Sequence, residues 1–223
     1  MMKKLVIFDL DGTLLNTIDD LGQAANHALL KNDFPTHSIA SYPFFVGNGV
    51  RKLMERVLPE NSRSAQMVET LLADFKTYYN DHLADYTKPY PGIVELLEDL
   101  RDRGVKLAVA SNKYHEAVQR LIAQAFPNIP FAAIEGQKEG VKVKPDPSVV
   151  FSVLAQAHVE KADTLYVGDS GVDMETARRA CVDSVGVSWG FRPVKELNEY
   201  HANAIVSSPA EIIPIVENGI PIE

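Results

Sequence analysis

The hydrophobic pattern divides the chain into stretches of different character. Near the start, the four apolar residues Leu5 to Phe8 are followed at once by polar residues. Such a run is typical of a strand that is buried on both faces of a parallel sheet. Between Leu15 and Tyr86 the apolar positions recur at helical spacing, and the pattern shows no convincing strand. From Gly92 onward, short apolar runs alternate with helical patterns, as in a doubly wound sheet.

These patterns predict the following elements: helices over 17–32, 50–58, 62–83, 93–103, 115–125, 148–157, 172–180 and 210–216, and strands over 5–8, 105–110, 131–134, 164–167, 184–187 and 204–206. The predicted fold is α/β, with a doubly wound, Rossmann-like parallel sheet formed by residues 1–15 and 88–223. Residues 16–87 are predicted to form a small helical cap domain inserted into it. Thr17 and Asp20 resemble a capping box at the start of the first helix. Hinges near Leu15 and over 86–91 would let the cap act as a lid.

Composition narrows the function without specifying it. The 223 residues carry a formal net charge of −8, with no block of Lys or Arg, which argues against nucleic acid or an anionic membrane as a partner. No apolar run approaches the roughly 20 residues of a membrane span. The single cysteine, Cys181, lies in an apolar setting and is predicted to be a buried thiol. We therefore expect a cytoplasmic protein, either a monomer or a weak homodimer.

The first candidate site follows the first strand. Asp9 and Asp11 stand two residues apart, where the apolar run ends. Ligands of open α/β sheets bind at this end of the strands. Two adjacent carboxylates repel each other unless a cation or a proton compensates them, so the pair suggests a metal site, although a simple polar turn would also explain it. Gly12 permits a tight turn there, and Thr13 can hydrogen-bond within the loop.

Polar residues also follow other predicted strands. They are found in the segments Ser111-Asn112-Lys113, Lys144-Pro145-Asp146-Pro147 and Gly168-Asp169-Ser170-Gly171-Val172-Asp173. Each segment alone has an ordinary explanation, as a helix cap, a turn or a solvated charge. Because the carboxyl ends of parallel strands lie at one edge of a sheet, we expect their hydroxyl, ammonium and carboxylate groups to share one pocket with Asp9 and Asp11.

This set of motifs resembles the haloacid dehalogenase superfamily of phosphotransferases, through DLDGT, the strand-end Ser111, the lysine of KPDP and the segment GDSGVD, in that order across almost the whole chain. The resemblance implies that Asp9 is a nucleophile that becomes an aspartyl phosphate, and that Asp11 is the general acid and base. It implies the following groups as phosphoryl ligands: Ser111, Lys144 and the backbone amides of Leu10, Asp11 and Asn112. It implies the following ligands for Mg²⁺: Asp9, the carbonyl of Asp11, Asp169, and Asp173, the last directly, through water or as an anchor.

The chemistry of phosphate esters is consistent with these implied roles. A phosphate monoester is a dianion, so an anionic nucleophile can approach it only when a cation lies between them. Mg²⁺ prefers oxygen ligands, and the six histidines are scattered without ligand spacing. The implied function is Mg²⁺-dependent hydrolysis of a small phosphate ester.

Other functions remain open. A phospho-accepting signal receiver has no need of a helical insertion, and a hydrolytic dehalogenase needs neither Asp11 nor a metal. A sugar phosphomutase of the β-phosphoglucomutase type is the main enzymatic alternative. The residues favour a phosphatase, because phosphomutases typically carry a hydrophobic residue in place of Thr13 and often Ala in place of Asp146. A non-catalytic binding protein would be expected to lack one of the motif residues.

The predicted cap resembles that of phosphoglycolate phosphatases, through residues 45–49 and the helix VRKLMERVL that follows. This resemblance implies 2-phosphoglycolate or a similar small metabolite as the substrate. It makes Gly47, Asn48, Gly49 and Arg51 candidate substrate-binding residues. A helix-entry turn and a solvated helix face would explain the same residues.

Overall fold

The central feature of the computed structural model, which describes residues 2–220, is a six-stranded parallel sheet. Its strands are β1 (Leu5–Phe8), β4 (Lys106–Tyr114), β5 (Phe131–Gln137), β6 (Thr164–Gly168), β7 (Asp183–Val187) and β8 (Ala204–Val206), in the spatial order β5-β4-β1-β6-β7-β8. β1 therefore lies inside the sheet, as its uninterrupted apolar run predicted. Val6 and Phe8 belong to the larger hydrophobic core, whereas Leu5 and Ile7 belong to a smaller core on the other side. Both faces are covered, so the predicted doubly wound α/β fold is confirmed.

Helices flank this sheet. They are α4 (Ile93–Asp102), α5 (His115–Ala125), α6 (Ser148–Ala157), α7 (Gly171–Ala180), α8 (Val194–Glu199) and α9 (Ile212–Asn218). α5 and α6 begin and end at the predicted residues, whereas the short α8 was not predicted. No helix within residues 2–220 is both long enough and apolar enough to cross a membrane.

Three further helices lie between the first strand and α4. They are α1 (Ile18–Lys31), α2 (Val50–Val57) and α3 (Ala65–Asp81). Their apolar faces join the larger core, through residues such as Leu29, Met54 and Phe75. α3 begins later than predicted because Ser64 caps it, its hydroxyl accepting a hydrogen bond from Met67 N at 3.2 Å. Residues 60–62 form a separate 3₁₀ turn before it.

A two-stranded antiparallel ribbon joins this helical segment to the sheet. It pairs β2 (Leu15–Asn16) with β3 (Lys88–Pro89). The prediction of no strand between Leu15 and Tyr86 was therefore wrong at Leu15–Asn16, because a two-residue strand is too short to show periodicity. The predicted capping box was also wrong: the Thr17 side chain makes no cap bond, and Asp20 accepts hydrogen bonds from the backbone of Tyr86 and Thr87 instead.

Cys181 does not match its prediction either. It ends α7 in the left-handed conformation, with φ 58°, and it is exposed. The apolar neighbours in the sequence, Val182 and Ala180, are buried, but the turn directs the thiol away from them. The apolar neighbours of Cys181 in the sequence therefore gave a wrong prediction of its burial, because the chain changes direction at the end of the helix.

Candidate active site

Three carboxylates meet at the carboxyl end of the sheet. Asp9 follows β1, Asp169 follows β6, and Asp173 lies in the first turn of α7. One oxygen of each lies within 4.8 Å of the others, and all three residues are buried. β1 and β6 are paired neighbours, which is why their following residues meet.

Asp9 combines burial with a close contact to a lysine. It is 8% exposed, and its Oδ1 atom has no well-aligned hydrogen-bond donor within residues 2–220. Lys144 Nζ lies 2.9 Å from that oxygen, so the contact is an ion pair rather than a directed hydrogen bond. Burial and the negative charge of Asp173 raise the pKa of Asp9 to about 7, although Lys144 opposes the shift.

Asp169 is held by the loop that follows β7. Its Oδ2 accepts a hydrogen bond of 2.7 Å from Phe191 N. Gly12, at φ 88°, packs directly against the carboxylate, and an added Cβ would lie 2.3 Å from Oδ2. Only glycine fits there, for steric and conformational reasons. Burial, and then the charges of Asp173 and Asp9, raise the pKa of Asp169 well above its usual range.

Asp173 and Lys144 form a buried ion pair. Lys144 Nζ donates to Asp173 Oδ1 at 2.7 Å and to the carbonyl of Ala110 at 2.9 Å. The other Asp173 oxygen accepts hydrogen bonds from Ser170 in a capping box at the start of α7. Burial alone would lower the pKa of Lys144, but Asp173 and Asp9 reverse the effect and hold the pKa well above its usual value. The lysine therefore stays charged.

The donor set suits a hard divalent cation. When all three carboxylates are ionised, the single ammonium leaves two uncompensated negative charges in a buried space, and an oxygen of Asp9 has no well-aligned donor within residues 2–220. Mg²⁺ binds carboxylate and carbonyl oxygens of this kind. Asp173 is already engaged by Lys144 and Ser170, so Asp9 and Asp169 have the freer oxygens.

Asp11 lies apart from the three carboxylates. Its Oδ1 accepts hydrogen bonds from Thr17 Oγ1 at 2.7 Å and from Lys113 Nζ at 2.9 Å. Lys113 is buried and also approaches Oδ2 at 3.2 Å. Sequence analysis gave Lys113 no role. The signal available was its place beside Ser111 and Asn112 in the same strand-end segment.

Ser111 and Asn112 lie in the last part of β4, which extends beyond its predicted end at residue 110. Ser111 Oγ accepts a hydrogen bond from Lys113 N at 3.2 Å. Asn112 donates to the carbonyls of Gly47 and Lys144, at 3.2 and 3.1 Å. It therefore connects the helical segment to the Lys144 loop. The amide hydrogen of Lys144 completes this contact by donating to Asn112 Oδ1 at 2.8 Å.

A cleft opens beside these residues, between the sheet and the helical segment. On the sheet side it is lined by Asp9, Asp11, Ser111, Asn112, Lys113, Tyr114, Asp169, Ser170, Phe191 and Arg192; on the helical side by Leu21, Val46, Gly47, Gly49, Val50, Leu53, Phe75 and Tyr79. Lys144 lies behind Asp9 and does not line the cleft. Leu10 is fully buried, and its carbonyl accepts the amide hydrogens that close the turn after β1.

Of the four candidate substrate-binding residues in the helical segment, two line the cleft and two do not. Gly47 and Gly49 line the cleft, whereas Asn48 lies outside it and accepts a hydrogen bond of 2.6 Å from Arg56. Arg51 also lies outside: its side chain is 50% exposed and forms ion pairs with Glu55 and Glu69. These pairs are those of a solvated helix face.

Besides Lys113, sequence analysis also missed the cleft residues Arg192 and Tyr79. Arg192, whose side chain is 17% exposed, donates to the carbonyl of Pro43 at 3.1 Å and lies 3.6 Å from Glu196. Tyr79 is spaced along α3 like the buried apolar residues Leu71 and Phe75. Arg192 could have been noticed as a polar residue after a predicted strand, but nothing in the pattern distinguishes Tyr79 from a core residue.

Comparison with known proteins identifies the family. The family model described as haloacid dehalogenase-like hydrolase matches residues 6–187. The chain belongs to that family. The resemblance inferred from the four motifs is thus confirmed.

Relatives narrow this assignment to phosphatases. A phosphoglycolate phosphatase of Mesorhizobium japonicum is 33% identical over 209 residues, which cover 93% of this chain and 92% of the relative. One from Aquifex aeolicus is 30% identical over 97% of this chain and 98% of its own length. A crystal structure from Lactobacillus delbrueckii subsp. bulgaricus, of a presumed phosphoglycolate phosphatase, has a TM-score of 0.92 at 34% identity and covers 98% of this chain and 100% of its own. The protein is therefore a phosphatase that resembles phosphoglycolate phosphatases.

Proposed function

We propose that this phosphatase hydrolyses small phosphate monoesters through an aspartyl phosphate formed on Asp9. One observation carries the proposal: Asp9 lines the cleft and has a buried oxygen without a well-aligned hydrogen-bond donor in the described part of the chain. From the cleft wall, the Asp9 carboxylate can attack the phosphorus of a bound ester. The bond from Asp9 to phosphorus forms as the bond from phosphorus to the alcohol oxygen breaks.

Asp11 is the proposed proton carrier. In the first step its carboxyl group gives a proton to the departing alkoxide, and in the second it takes one from the water that hydrolyses the aspartyl phosphate. Two features support this role: Asp11 lines the same cleft as Asp9, and its carboxylate stands outside the three-carboxylate cluster. Thr17 and Lys113 hold it in one orientation.

Mg²⁺ is the proposed cofactor. Asp9, Asp169 and the Asp11 carbonyl would hold it, with Asp173 as a further ligand or an anchor. When bound, the cation would neutralise charge between the Asp9 carboxylate and the dianionic ester. Around it, the Ser111 hydroxyl and the backbone amides of residues 10, 11 and 112 would bind phosphoryl oxygens. Lys144 would act on the phosphoryl group through the charge it places 2.9 Å from the Asp9 carboxylate, since it does not itself line the cleft.

We further propose that residues 16–87 act as the cap and that 2-phosphoglycolate is the substrate. The names of the relatives support this choice. Gly47 and Gly49 line the cleft where a small acid would lie, and Arg192 supplies a cation that Arg51 does not. In this proposal Arg192, and not Arg51, meets the substrate carboxylate.

A panel of phosphate monoesters, ranked by kcat/KM with Mg²⁺ present, tests the function. We expect 2-phosphoglycolate to rank above sugar phosphates and nucleotides, with release of inorganic phosphate. A lower rank would contradict 2-phosphoglycolate as the substrate but would not contradict the phosphatase activity. Conversion of a hexose 1-phosphate to its 6-phosphate without phosphate release would instead establish a phosphomutase.

A further inference from the structure

Tyr79 of α3 combines features that an ordinary core tyrosine does not share. The residue is 0% exposed, and its hydroxyl oxygen has no hydrogen-bond partner within residues 2–220. A buried polar group without a partner is costly, at about 1–3 kcal/mol, so such groups are rare in folded proteins. The side chain also lines the active-site cleft. A molecule in the cleft can therefore supply the missing partner.

The ring of Tyr79 is fixed from several directions. It stacks on Phe75 with 5.2 Å between ring centroids, and Tyr114 meets it edge-on at 6.4 Å. Lys113 Nζ lies 4.9 Å from the ring centroid, and the same ammonium donates to Asp11. The ring is thus held against the lysine that contacts the proposed acid and base, and it cannot readily rotate away.

The hydroxyl is a donor in this setting. Burial, and then the charges of Asp11 and Asp20, raise its pKa well above the usual value, so it remains protonated. Val46, Val50, Leu53 and Phe75 make the surrounding cleft wall apolar. A single donor on an apolar wall favours an oxygen acceptor at one position and disfavours ligands that leave it unpaired.

We propose that the Tyr79 hydroxyl donates a hydrogen bond to an oxygen in the non-phosphate part of the substrate and so selects esters that carry an acceptor, such as a carboxylate, next to the phosphoester carbon. This inference rests on the proposed phosphatase function and adds a specificity-determining residue to it. Asp9 fixes the phosphoryl end of the ester at the sheet, so the cap residue Tyr79 meets the other end.

The test compares 2-phosphoglycolate with ethyl phosphate, in which a methyl group replaces the carboxylate. Tyr79→Phe removes only the hydroxyl and keeps the ring stack. We expect kcat/KM for 2-phosphoglycolate to fall by about 10-fold to 100-fold, as for loss of a hydrogen bond to a charged group, while the value for ethyl phosphate changes less than about 2-fold. Tyr78→Phe is the matched control, because Tyr78 precedes Tyr79 on α3, stacks between His27 and His82, and does not line the cleft. It should leave both values unchanged.

Binding gives a second readout that does not need turnover. In the Asp9→Asn background, Tyr79→Phe should weaken binding of 2-phosphoglycolate, measured by calorimetry, and leave that of ethyl phosphate unchanged. Equal effects on the two esters, or none, would overturn the role of Tyr79 while the phosphatase function stood. Failure of the wild-type protein to hydrolyse any ester would instead overturn the proposed function. Failure of the Asp9→Asn protein to bind 2-phosphoglycolate would also contradict the proposed role of Tyr79.

Discussion

Lys113 and Asp11 form a buried ion pair at the wall of the cleft, with Nζ 2.9 Å from Oδ1 and 3.2 Å from Oδ2. Asp11 follows β1, and Lys113 lies near the end of β4, the parallel neighbour of β1, so the topology brings the two residues together. The ion pair fixes the orientation of the Asp11 carboxylate. By contrast, Asp9 Oδ1 has no well-aligned hydrogen-bond donor within residues 2–220.

Replacing Lys113 by Met tests whether this pair positions the proton carrier. We expect kcat for 2-phosphoglycolate to fall about 10-fold to 100-fold with a smaller change in KM, because general acid catalysis contributes roughly 10²–10⁴-fold. The loss should be smaller for p-nitrophenyl phosphate, whose leaving group needs little protonation. Steady-state kinetics with both esters measures the difference. Lys142→Met, at an exposed lysine, is the control; equal losses for both esters would argue for a merely structural role.

Asp9→Asn should abolish turnover, with a loss of at least about 10³-fold, while the protein stays folded. The amide keeps the shape of the carboxylate but is a poor nucleophile. Mass spectrometry of the wild-type protein trapped with a phosphate mimic should place the adduct on Asp9. An adduct on Ser111, together with an active Asp9→Asn variant, would contradict the mechanism.

The metal-free protein should lose stability as the pH rises. Asp9 has a pKa of about 7 in the folded state and about 3.8 when unfolded, so between these values the folded state retains a proton that the unfolded state has released. The free energy of unfolding should therefore fall from about pH 4 to pH 7 and remain low above it. Each pKa unit corresponds to about 1.4 kcal/mol, and we expect a total loss of about 2–4 kcal/mol.

Thermal melts at pH 5 and pH 8, with chelator and with Mg²⁺, measure this effect. Mg²⁺ should raise the midpoint at pH 8 by mass action, and Asp169→Ala should remove that response. Asp9→Asn should raise the midpoint of the metal-free protein at pH 8 but not at pH 5, because it removes one of the repelling charges. Equal midpoints for this variant and the wild type at pH 8 would count against charge repulsion. Full phosphatase activity in excess chelator would count against the metal.

Asp20 should stabilise the place where the chain leaves the helical segment and returns to the sheet, at Tyr86 and Thr87. Its oxygens accept hydrogen bonds from Tyr86 N at 3.1 Å, Thr87 N at 2.8 Å and Thr87 Oγ1 at 2.7 Å. Asp20→Ala leaves these donors unpaired, so we expect a loss of about 1–3 kcal/mol in urea unfolding, with a changed KM. Asp19→Ala is the matched control, because Asp19 lies in the same helical turn and is exposed. Equal losses in the two variants would contradict the role of Asp20.

The sequence allowed much of the fold to be predicted because the sheet is buried on both faces. Short, mostly apolar runs identified all six parallel strands, and polar residues after them located the edge where Asp9 and Asp169 meet. The features that were missed leave no periodic pattern in the sequence. The ribbon of Leu15 has two residues per strand, and the partner of Asp20 lies 66 positions away, so neither leaves a periodic signal.

The cleft was harder to predict than the carboxylate cluster. Gly12 and the carboxylates stand in a spacing that has few explanations, whereas Tyr79 has the spacing of a core residue and Arg51 that of a solvated helix face. Which side of a helix meets the cleft depends on how the helix packs, and α2 turns Arg51 toward Glu69 instead. Resemblance pointed to Gly47, Gly49 and Arg51; the first two line the cleft, whereas Arg51 does not.

Arg192 and Arg51 provide the last prediction. If Arg192 meets the substrate carboxylate, Arg192→Met should lower kcat/KM for 2-phosphoglycolate by about 10-fold to 100-fold, the range for a lost charge-assisted hydrogen bond. The loss should be mostly in KM, and ethyl phosphate should be affected far less, since it has no carboxylate. Arg51→Met removes a charge from an exposed ion pair and should change kcat/KM for neither ester by more than about 2-fold.

Arg192 also donates to the carbonyl of Pro43, so a general loosening of the cap would lower kcat/KM for both esters alike. Selectivity between the two esters therefore separates recognition of the carboxylate from support of the cap, and a larger effect at Arg51 than at Arg192 would reverse the assignment.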